Sequence, residues 1–431
     1  MINRLLTFLD ASPVNFLAVK NLTGELEQAG FRRVDPQEPI GNVTAGDKLY
    51  VTKNDSSVYA FQLGRKPLAE TGFRMICAHC DSPTFRIKPN AEMQGDGGIV
   101  KLNTEVYGGP IMSTWFDRPL TLAGRVIVRG ADEMSPQTRL LHIKRPLLQI
   151  SNLAIHFNRE VNDGVKLSKQ TDMLPILGII KDELESGNLL MNLICEELNK
   201  EGSVKREDIL DFDLYLADAT PACTFGAHNE FISSGRLDDL SMCHAGLVAL
   251  QDAPETDYTK VLAIFDNEET GSQTKQGAGS PFLATMLQRI ALAQGGTEEA
   301  FYQAVERAFM VSADNAHAWH PNYSAKYDPT NHPVLGGGPV IKFNAAQKYA
   351  SDAVSAAVFA EVCRKAGVPC QRFVNHSDVA GGSTLGNILA SSIPLRGVDM
   401  GNAILAMHSC RETGSVADHA YCIKAFTQFF S

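Results

Sequence analysis

The sequence predicts an α/β protein: a mixed β-sheet sandwiched by helices, with a mostly β domain inserted into the sheet-forming chain. Three observations predict it. First, the runs 73–78, 261–265 and 308–313 are apolar, rich in β-formers and end abruptly in polar residues, as buried strands do. Second, helical periodicity surrounds them, in two amphipathic stretches within 3–29 split by Pro13, from Gly235 through Ala249, over 281–308 and over 351–366. Third, from about 84 to 230 the texture changes to short strand-like stretches separated by Gly- or Pro-rich turns. The expected division is a discontinuous domain of 1–84 and 231–431 and an insert of 85–230.

Composition narrows the function. A chain of 431 residues is long enough for two domains, and 44% hydrophobic with 20% charged residues is ordinary for a soluble globular protein. A net charge of −10 argues against nucleic acid as a partner, which needs a basic footprint. No apolar run approaches the ~20 residues of a membrane helix. Asp10 interrupts the short apolar start, and no small-residue cleavage site follows. The expectation is a cytoplasmic protein with no membrane partner. The nine cysteines are odd in number and scattered, which fits reduced thiols. Cys77 and Cys80 have C-x-x-C spacing, but a zinc ribbon needs a second such pair and the chain has none.

Taken in order, 48–52 and 58–63 read as a hairpin around Asn54-Asp55-Ser56-Ser57. The strand 73–78 stops at His79, and Asp81 could fix that ring's tautomer; a capping turn before Pro83 is the plainer alternative. In the insert, 85–88, 99–103, 125–129, 147–150 and 212–216 read as short strands. His156 lies there among apolar neighbours, where a lone histidine is more often structural. Asp238 opens the helix after Gly235, where a carboxylate also serves as a cap. The buried run 261–265 empties into Asp266-Asn267-Glu268-Glu269 and a glycine turn. A solvated acidic loop is one reading. The other divides two tasks, with one glutamate ligating a metal and its neighbour taking a proton from water. The strand 308–313 ends in Asp314. Lys342 sits inside the apolar stretch 340–343, as a pocket cation or as a surface lysine with a buried stem. The glycine-rich 380–384 lacks the lysine of a phosphate loop. A fourth strand, 403–407, is expected to end in His408.

Parallel strands would bring His79, Glu268, Glu269, Asp314 and His408 to one sheet edge, beside Asp238. Such a mixed imidazole and carboxylate set suits zinc, cobalt or manganese. A single open catalytic zinc takes three protein ligands; five suit two ions with one bridging carboxylate.

Seven ordered stretches then resemble the aspartyl aminopeptidases, within the co-catalytic zinc aminopeptidases. They are AHCDSP at 78–83, NLAIHFNRE at 152–160, GRLDDL at 235–240, DNEETGS at 266–272, SADNAHAWHPNY at 312–323, GGPVIKFN at 337–344 and AMHS at 406–409. Cys80 stands where the family usually has threonine, and Asp239 where it has asparagine; Asn267 and Thr270 vary the acidic motif.

The resemblance implies two divalent ions per subunit, zinc first, with cobalt or manganese as alternatives. Asp238 would bridge them, with His79 and Asp314 on one and Glu269 and His408 on the other. Glu268 would be the general base and Asp81 the orienter of His79. His156 would reach a neighbouring subunit's site and stabilise the oxyanion rather than ligate metal. Lys342, and secondarily His317, would lie near an acidic first side chain of a short peptide with a free N-terminus. The insert would serve assembly, in a homo-oligomer expected to be a dodecamer built from dimers. The rivals are a neutral, Leu-type preference, a dipeptidase, carboxypeptidase or deacylase on the same scaffold, and a non-catalytic scaffold stabilised by metal.

Overall fold

Pro13 separates the first two helices, α1 (Ile2–Ala11) and α2 (Asn15–Gln28), and each turns its apolar stripe inward through Leu5, Phe8 and Leu9 and through Val19, Leu22 and Leu26. The computed structural model describes residues 1–180, 188–200 and 202–431. The chain forms two compact units, a larger one of Met1–Asp81, Ala222–Met407 and Glu412–Ser431, and a smaller one of Ser82–Pro221 with His408–Arg411.

The larger unit begins with the helices above and with β1 (Arg32–Arg33), β2 (Lys48–Lys53), β3 (Ser57–Gln62), α3 (Leu68–Thr71) and β4 (Phe73–His79). The smaller unit contributes β5 (Thr84–Gln94), β6 (Ile99–Tyr107), β7 (Leu120–Val128), β8 (Gln137–His142), β9 (Ile176–Ile179), α4 (Leu189–Leu198) and β10 (Ile209–Asp218). These strands form one six-stranded sheet, β8-β7-β10-β5-β6-β9, antiparallel at every pairing. Strands β6, β7 and β10 run longer than their apolar centres suggest. The stretch 147–150, which follows Pro146, makes only isolated bridges.

The larger unit resumes with β11 (Cys223–Phe225), β12 (Phe231–Ser234), α5 (Leu237–Asp252), β13 (Thr259–Phe265), α6 (Phe282–Ala293), α7 (Glu298–Arg307) and β14 (Phe309–Ala313). It closes with β15 (Ala316–His317), β16 (Val340–Phe343), α8 (Ala353–Ala366), β17 (Gln371–Val374), α9 (Leu385–Ser392), β18 (Arg396–Gly401), β19 (Ala403–Ile404), β20 (Glu412–Ser415) and α10 (Val416–Phe429).

Its main sheet has nine strands in the order β1-β2-β3-β13-β4-β14-β18-β16-β17. The centre, β13-β4-β14-β18, is parallel, and antiparallel β3 and β16 flank it. Side chains on a strand alternate between faces, and here both faces are dry. Ile76, Ala78, Leu262, Ile264 and Val311 pack with α1, α2, α5, α8 and α10, while Met75, Cys77, Val261, Ala263 and Met310 pack with α3, α6, α7 and α9. That double burial explains the unbroken apolar runs. The α/β sandwich read from the sequence is the fold observed.

One expected element is corrected. The fourth parallel strand is β18, and 403–407 does not extend it: only Ala403–Ile404 is strand, paired with β15 in a separate small sheet. Ala406 and His408 have φ of 57° and 69°, so His408 sits in a turn rather than at a strand's end. Among the described residues no helix is long and apolar enough to cross a membrane, and all nine cysteines are free.

Candidate metal centre

The parallel pairing sets the site. Phe265 at the end of β13 lies opposite His79 at the end of β4, and Ser312 in β14 lies opposite Cys77. Residues just beyond these three ends therefore share one sheet edge, the usual place for ligands in open α/β sheets.

His79 is buried at that edge. Its Nδ1 lies 3.1 Å from the main-chain oxygen of Asp81 and 3.4 Å from the Asp81 carboxylate. Either acceptor favours the tautomer with hydrogen on Nδ1, which leaves the lone pair of Nε2 for a metal. That Nε2 faces Asp238 Oδ1 at 3.6 Å. Burial disfavours the imidazolium, yet the carboxylates of Asp239, Asp238 and Asp81 outweigh burial and hold the ring's pKa well above its ordinary value.

Asp81 does more than orient His79. Its two carboxylate oxygens accept the backbone N–H groups of Glu268 and Glu269, at 3.1 and 3.2 Å. The turn carrying those glutamates needs a left-handed residue, and Asn267 supplies it at φ 60°. The Asn267 side chain accepts from Thr274 and Gln276, and its carbonyl accepts from the Ser272 N–H. Asn267 and Thr270 thus belong to a self-bonded turn with the glutamate pair fixed inside it.

Asp238 and Asp239 begin α5, and neither has helical dihedrals. The Asp238 N–H donates to Glu412 at 3.0 Å. Asp239 accepts the His79 N–H at 3.2 Å and the Asn315 side-chain amide at 3.3 Å, tying β4 to the start of α5. Asn315 also donates to the Leu237 carbonyl at 2.7 Å.

Asp314 follows β14. A Cβ on Gly401 would stand 2.0 Å from the Asp314 carbonyl, so only glycine lets β18 pass there. Lys342 lies beneath, 2% exposed, with Nζ donating to the carbonyls of Asp314 at 2.7 Å and Asn315 at 3.2 Å and pairing with Asp314 Oδ1 at 3.2 Å. Burial opposes the ammonium, but Asp314 outweighs it and raises the pKa of Lys342. An ammonium has three donors, and these three acceptors match them. His317, in β15, is exposed and stands edge-on to Phe373.

Ligand atoms of His79, Asp238 and Asp239 lie within 4.8 Å of one another, and so do those of His79, Glu268 and Glu269. Burial pushes Glu268 up to about 8, helped by Asp314, Asp81 and Asp238 and opposed by His79. Glu269 and Asp239 are driven well above the usual carboxylate range, first by burial and then by neighbouring acids. Asp314 is raised by burial although Lys342 pulls the other way. Crowded, desolvated carboxylates resist ionising together, and a divalent cation among them reverses that preference. The residues present therefore fit a divalent metal by donor type, by spacing and by charge.

His408 and His156 belong to the smaller unit. His408 Nδ1 lies 3.1 Å from the Gly109 carbonyl, which favours the tautomer with hydrogen on Nδ1. His156 lies in an exposed turn closed by Phe157 N–H to Ala154 O at 2.9 Å. Its apolar neighbours Leu153, Ile155 and Phe157 are exposed as well, so the apolar surroundings expected for it are absent within the chain. Sequence reading missed Glu412 and Asn315; Asn315 adjoins Asp314, a signal that could have found it, whereas nothing local marks Glu412.

The chain is similar to known zinc metalloproteases. The family described as Aminopeptidase I zinc metalloprotease (M18) matches residues 8–430. A probable M18 family aminopeptidase 2 of Clostridium acetobutylicum is 51% identical over 428 residues, 99% of this chain and 98% of the relative. Among solved structures, the cryo-EM structure of the Ape4 and Nbr1 complex contains a chain similar at TM-score 0.95 and 37% identity, over 99% of this chain and 85% of that one. The mApe1 dodecamer of S. cerevisiae is similar at TM-score 0.85 and 25% identity, over 99% and 95% of the two chains.

Proposed function

The chain belongs to the M18 family of aminopeptidase I zinc metalloproteases, and from that premise we propose that it removes acidic N-terminal residues from short peptides, using two divalent ions per subunit. The observation that supports this most is the clustering of His79, Asp238, Glu268 and Glu269 donor atoms at the edge where β4 and β13 end. Asp238 is the proposed bridge, with His79 and Asp314 on one ion and Glu269 on the other; His408 is the remaining ligand by family resemblance. Zinc bound by these residues would act as a Lewis acid on the scissile carbonyl and on the attacking water.

The protein's own residues account for the rest. Glu268 is the general base: it takes a proton from the attacking water and returns it to the leaving amine. Asp81 fixes the position of that carboxylate through the backbone of Glu268 and holds His79 in its ligating tautomer. His156 is proposed to donate to the developing oxyanion in a neighbouring copy's site. Exposed Leu153, Ile155 and Phe157 support an intermolecular role for that segment, since apolar surface at one place marks an interaction site. Assembly as a dodecamer of dimers, and a cytoplasmic location, belong to the same proposal.

For the first side chain, Lys342 is the proposed cation, with His317 beside it. A specific observation favours a second reading, a neutral preference: the Lys342 ammonium already has three protein acceptors. Cleavage of a peptide with a free N-terminus but not of its acetylated form would support an aminopeptidase; equal cleavage of both would move the reading to a carboxypeptidase or deacylase.

A further inference from the structure

A buried carboxylate that the chemistry above does not use lies beneath the start of α9. Val311, Val398 and Met400 pack on the far face of the main sheet, so Ser312 and Asp399, which alternate with them, face α9. The pairing of β14 with β18 sets Ser312 beside Asp399, and the Ser312 hydroxyl donates to Asp399 Oδ1 at 2.6 Å. Asp399 is fully buried. Its carboxylate takes two further donors from separate segments: the Thr384 hydroxyl at 2.7 Å, from the residue before α9, and the Ala350 N–H at 2.5 Å. Ser351 then stands in for the strand that has diverged. Its hydroxyl accepts the Asp399 N–H at 2.8 Å and donates to the Asp399 carbonyl at 3.3 Å. A Cβ on Gly386 would stand 2.5 Å from Asp399 Oδ2, so the first turn of α9 closes directly on this carboxylate.

All three donors to the carboxylate are neutral. The cation lies on the next strand. β16 pairs Ile341 with Met400, which makes Lys342 and Asp399, one step further along, neighbours on the same face. Tyr349, the residue before Ala350, lies over the Lys342 ammonium with its ring centre 5.3 Å from Nζ. One carboxylate thus joins the strand that leads through Ser312 to Asp314 and the segment that covers Lys342.

We propose that Asp399 is a positioning residue for the metal centre: its charge shares the Lys342 ammonium with Asp314, and its hydrogen bonds hold the Tyr349 segment and the end of β14 around that ammonium. This role presupposes that Asp314 ligates the metal, as proposed above. With the Asp399 carboxylate in place, Lys342 is balanced between two acids, and Asp314 keeps an oxygen lone pair for zinc. Without that charge the ammonium leans on Asp314 alone and competes with the metal for it. Asp399→Asn isolates the charge. The new amide can accept from the Ala350 N–H through its oxygen and donate to the Ser312 and Thr384 hydroxyls, which accept as well as donate.

The test measures zinc affinity of the full-length protein by chelator competition, well below its melting temperature. Asp399→Asn should bind zinc about 10-fold more weakly. In a Lys342→Met background the same change should have no further effect, because the ammonium through which it acts is gone. Wild-type zinc affinity in Asp399→Asn, or an equal loss in both backgrounds, would overturn the proposal, and a fall in melting temperature alone would show a structural role only. Asp314→Ala, measured alongside, separates two failures. If it loses zinc while Asp399→Asn does not, the positioning role falls and the ligand assignment stands; wild-type affinity in Asp314→Ala would overturn both. Should Asp399→Asn fold poorly, Ser312→Ala decides, with weaker zinc binding expected and wild-type affinity against the proposal.

Discussion

The ammonium of Lys342 lies 3.2 Å from the carboxylate of Asp314 and donates to the main-chain carbonyl of the same residue at 2.7 Å. One cation thus holds both the backbone and the side chain of a proposed metal ligand, from a strand two places away in the sheet. Removing it leaves a buried carboxylate and two buried carbonyls short of a donor.

Lys342→Met should therefore lower metal content and reduce turnover of all peptides by about 10–100-fold, as loss of a ligand's supporting partner does, and acidic first residues should lose more than neutral ones because Lys342 is also the proposed cation for that side chain. Elemental analysis and parallel assays of Ala- and Asp-initiated peptides check this. Unchanged metal with loss confined to acidic peptides would place the ammonium's role on the substrate instead.

Asp81→Asn keeps the shape but replaces one acceptor oxygen with an amide that faces the N–H of Glu268 or Glu269. Turnover should fall by roughly 10–100-fold, with weaker metal retention during dialysis against a chelator. Wild-type behaviour in both measurements would contradict the role given to Asp81.

His156→Ala should lower kcat by about 100-fold or more, the scale of a lost oxyanion donor, while metal per chain stays at the wild-type value. Loss of one metal equivalent would make His156 a ligand.

Acid sensitivity follows from a second buried pair. His244 in α5 and His419 in α10 share a 3.0 Å hydrogen bond inside the core. Burial lowers His244 to about 2, aided by His419, Arg4 and the N-terminal ammonium, and lowers His419 to about 4, aided by the same ammonium. Above the ordinary histidine value both folded and unfolded chains keep these rings neutral, and stability is unaffected. As pH falls below about 6.5 the unfolded chain takes up protons that the fold refuses, so stability drops by up to ~1.4 kcal/mol per pH unit per ring. Urea midpoints between neutral pH and pH 5 should show this fall, and the double variant His244→Leu with His419→Phe should flatten it. An equally steep fall in that variant would assign the effect to other groups.

The sheet was legible because its central strands are buried on both faces. Double burial forces continuous apolar runs such as Val261 to Phe265, and it makes the polar residue that ends each run conspicuous. His79, the Glu268–Glu269 pair and Asp314 were found that way. His408 was placed at a strand end because Ala403 to Met407 is apolar, but periodicity carries no information on the left-handed backbone that turns the chain at Ala406 and His408. The partners of Asp238, Asp239 and Lys342 lie far along the chain, and contacts such as Glu412 to Asp238 arise only when distant segments pack. A lysine in an apolar strand demands a counter-charge, and its sequence could not say that Asp314 provides one.

The most direct test of the account is release of the first residue from a panel of X-Ala-Ala peptides, X being Asp, Glu, Leu, Lys or acetyl-Asp. The wild-type protein and Glu268→Gln would be compared at equal bound metal, each with and without chelator. The account predicts chelator-sensitive release from free N-termini, greatest for Asp and Glu, none from acetyl-Asp, and a loss of about 100-fold or more in Glu268→Gln with its metal retained. Undiminished release by Glu268→Gln, or release that persists after the metal is stripped, would contradict it.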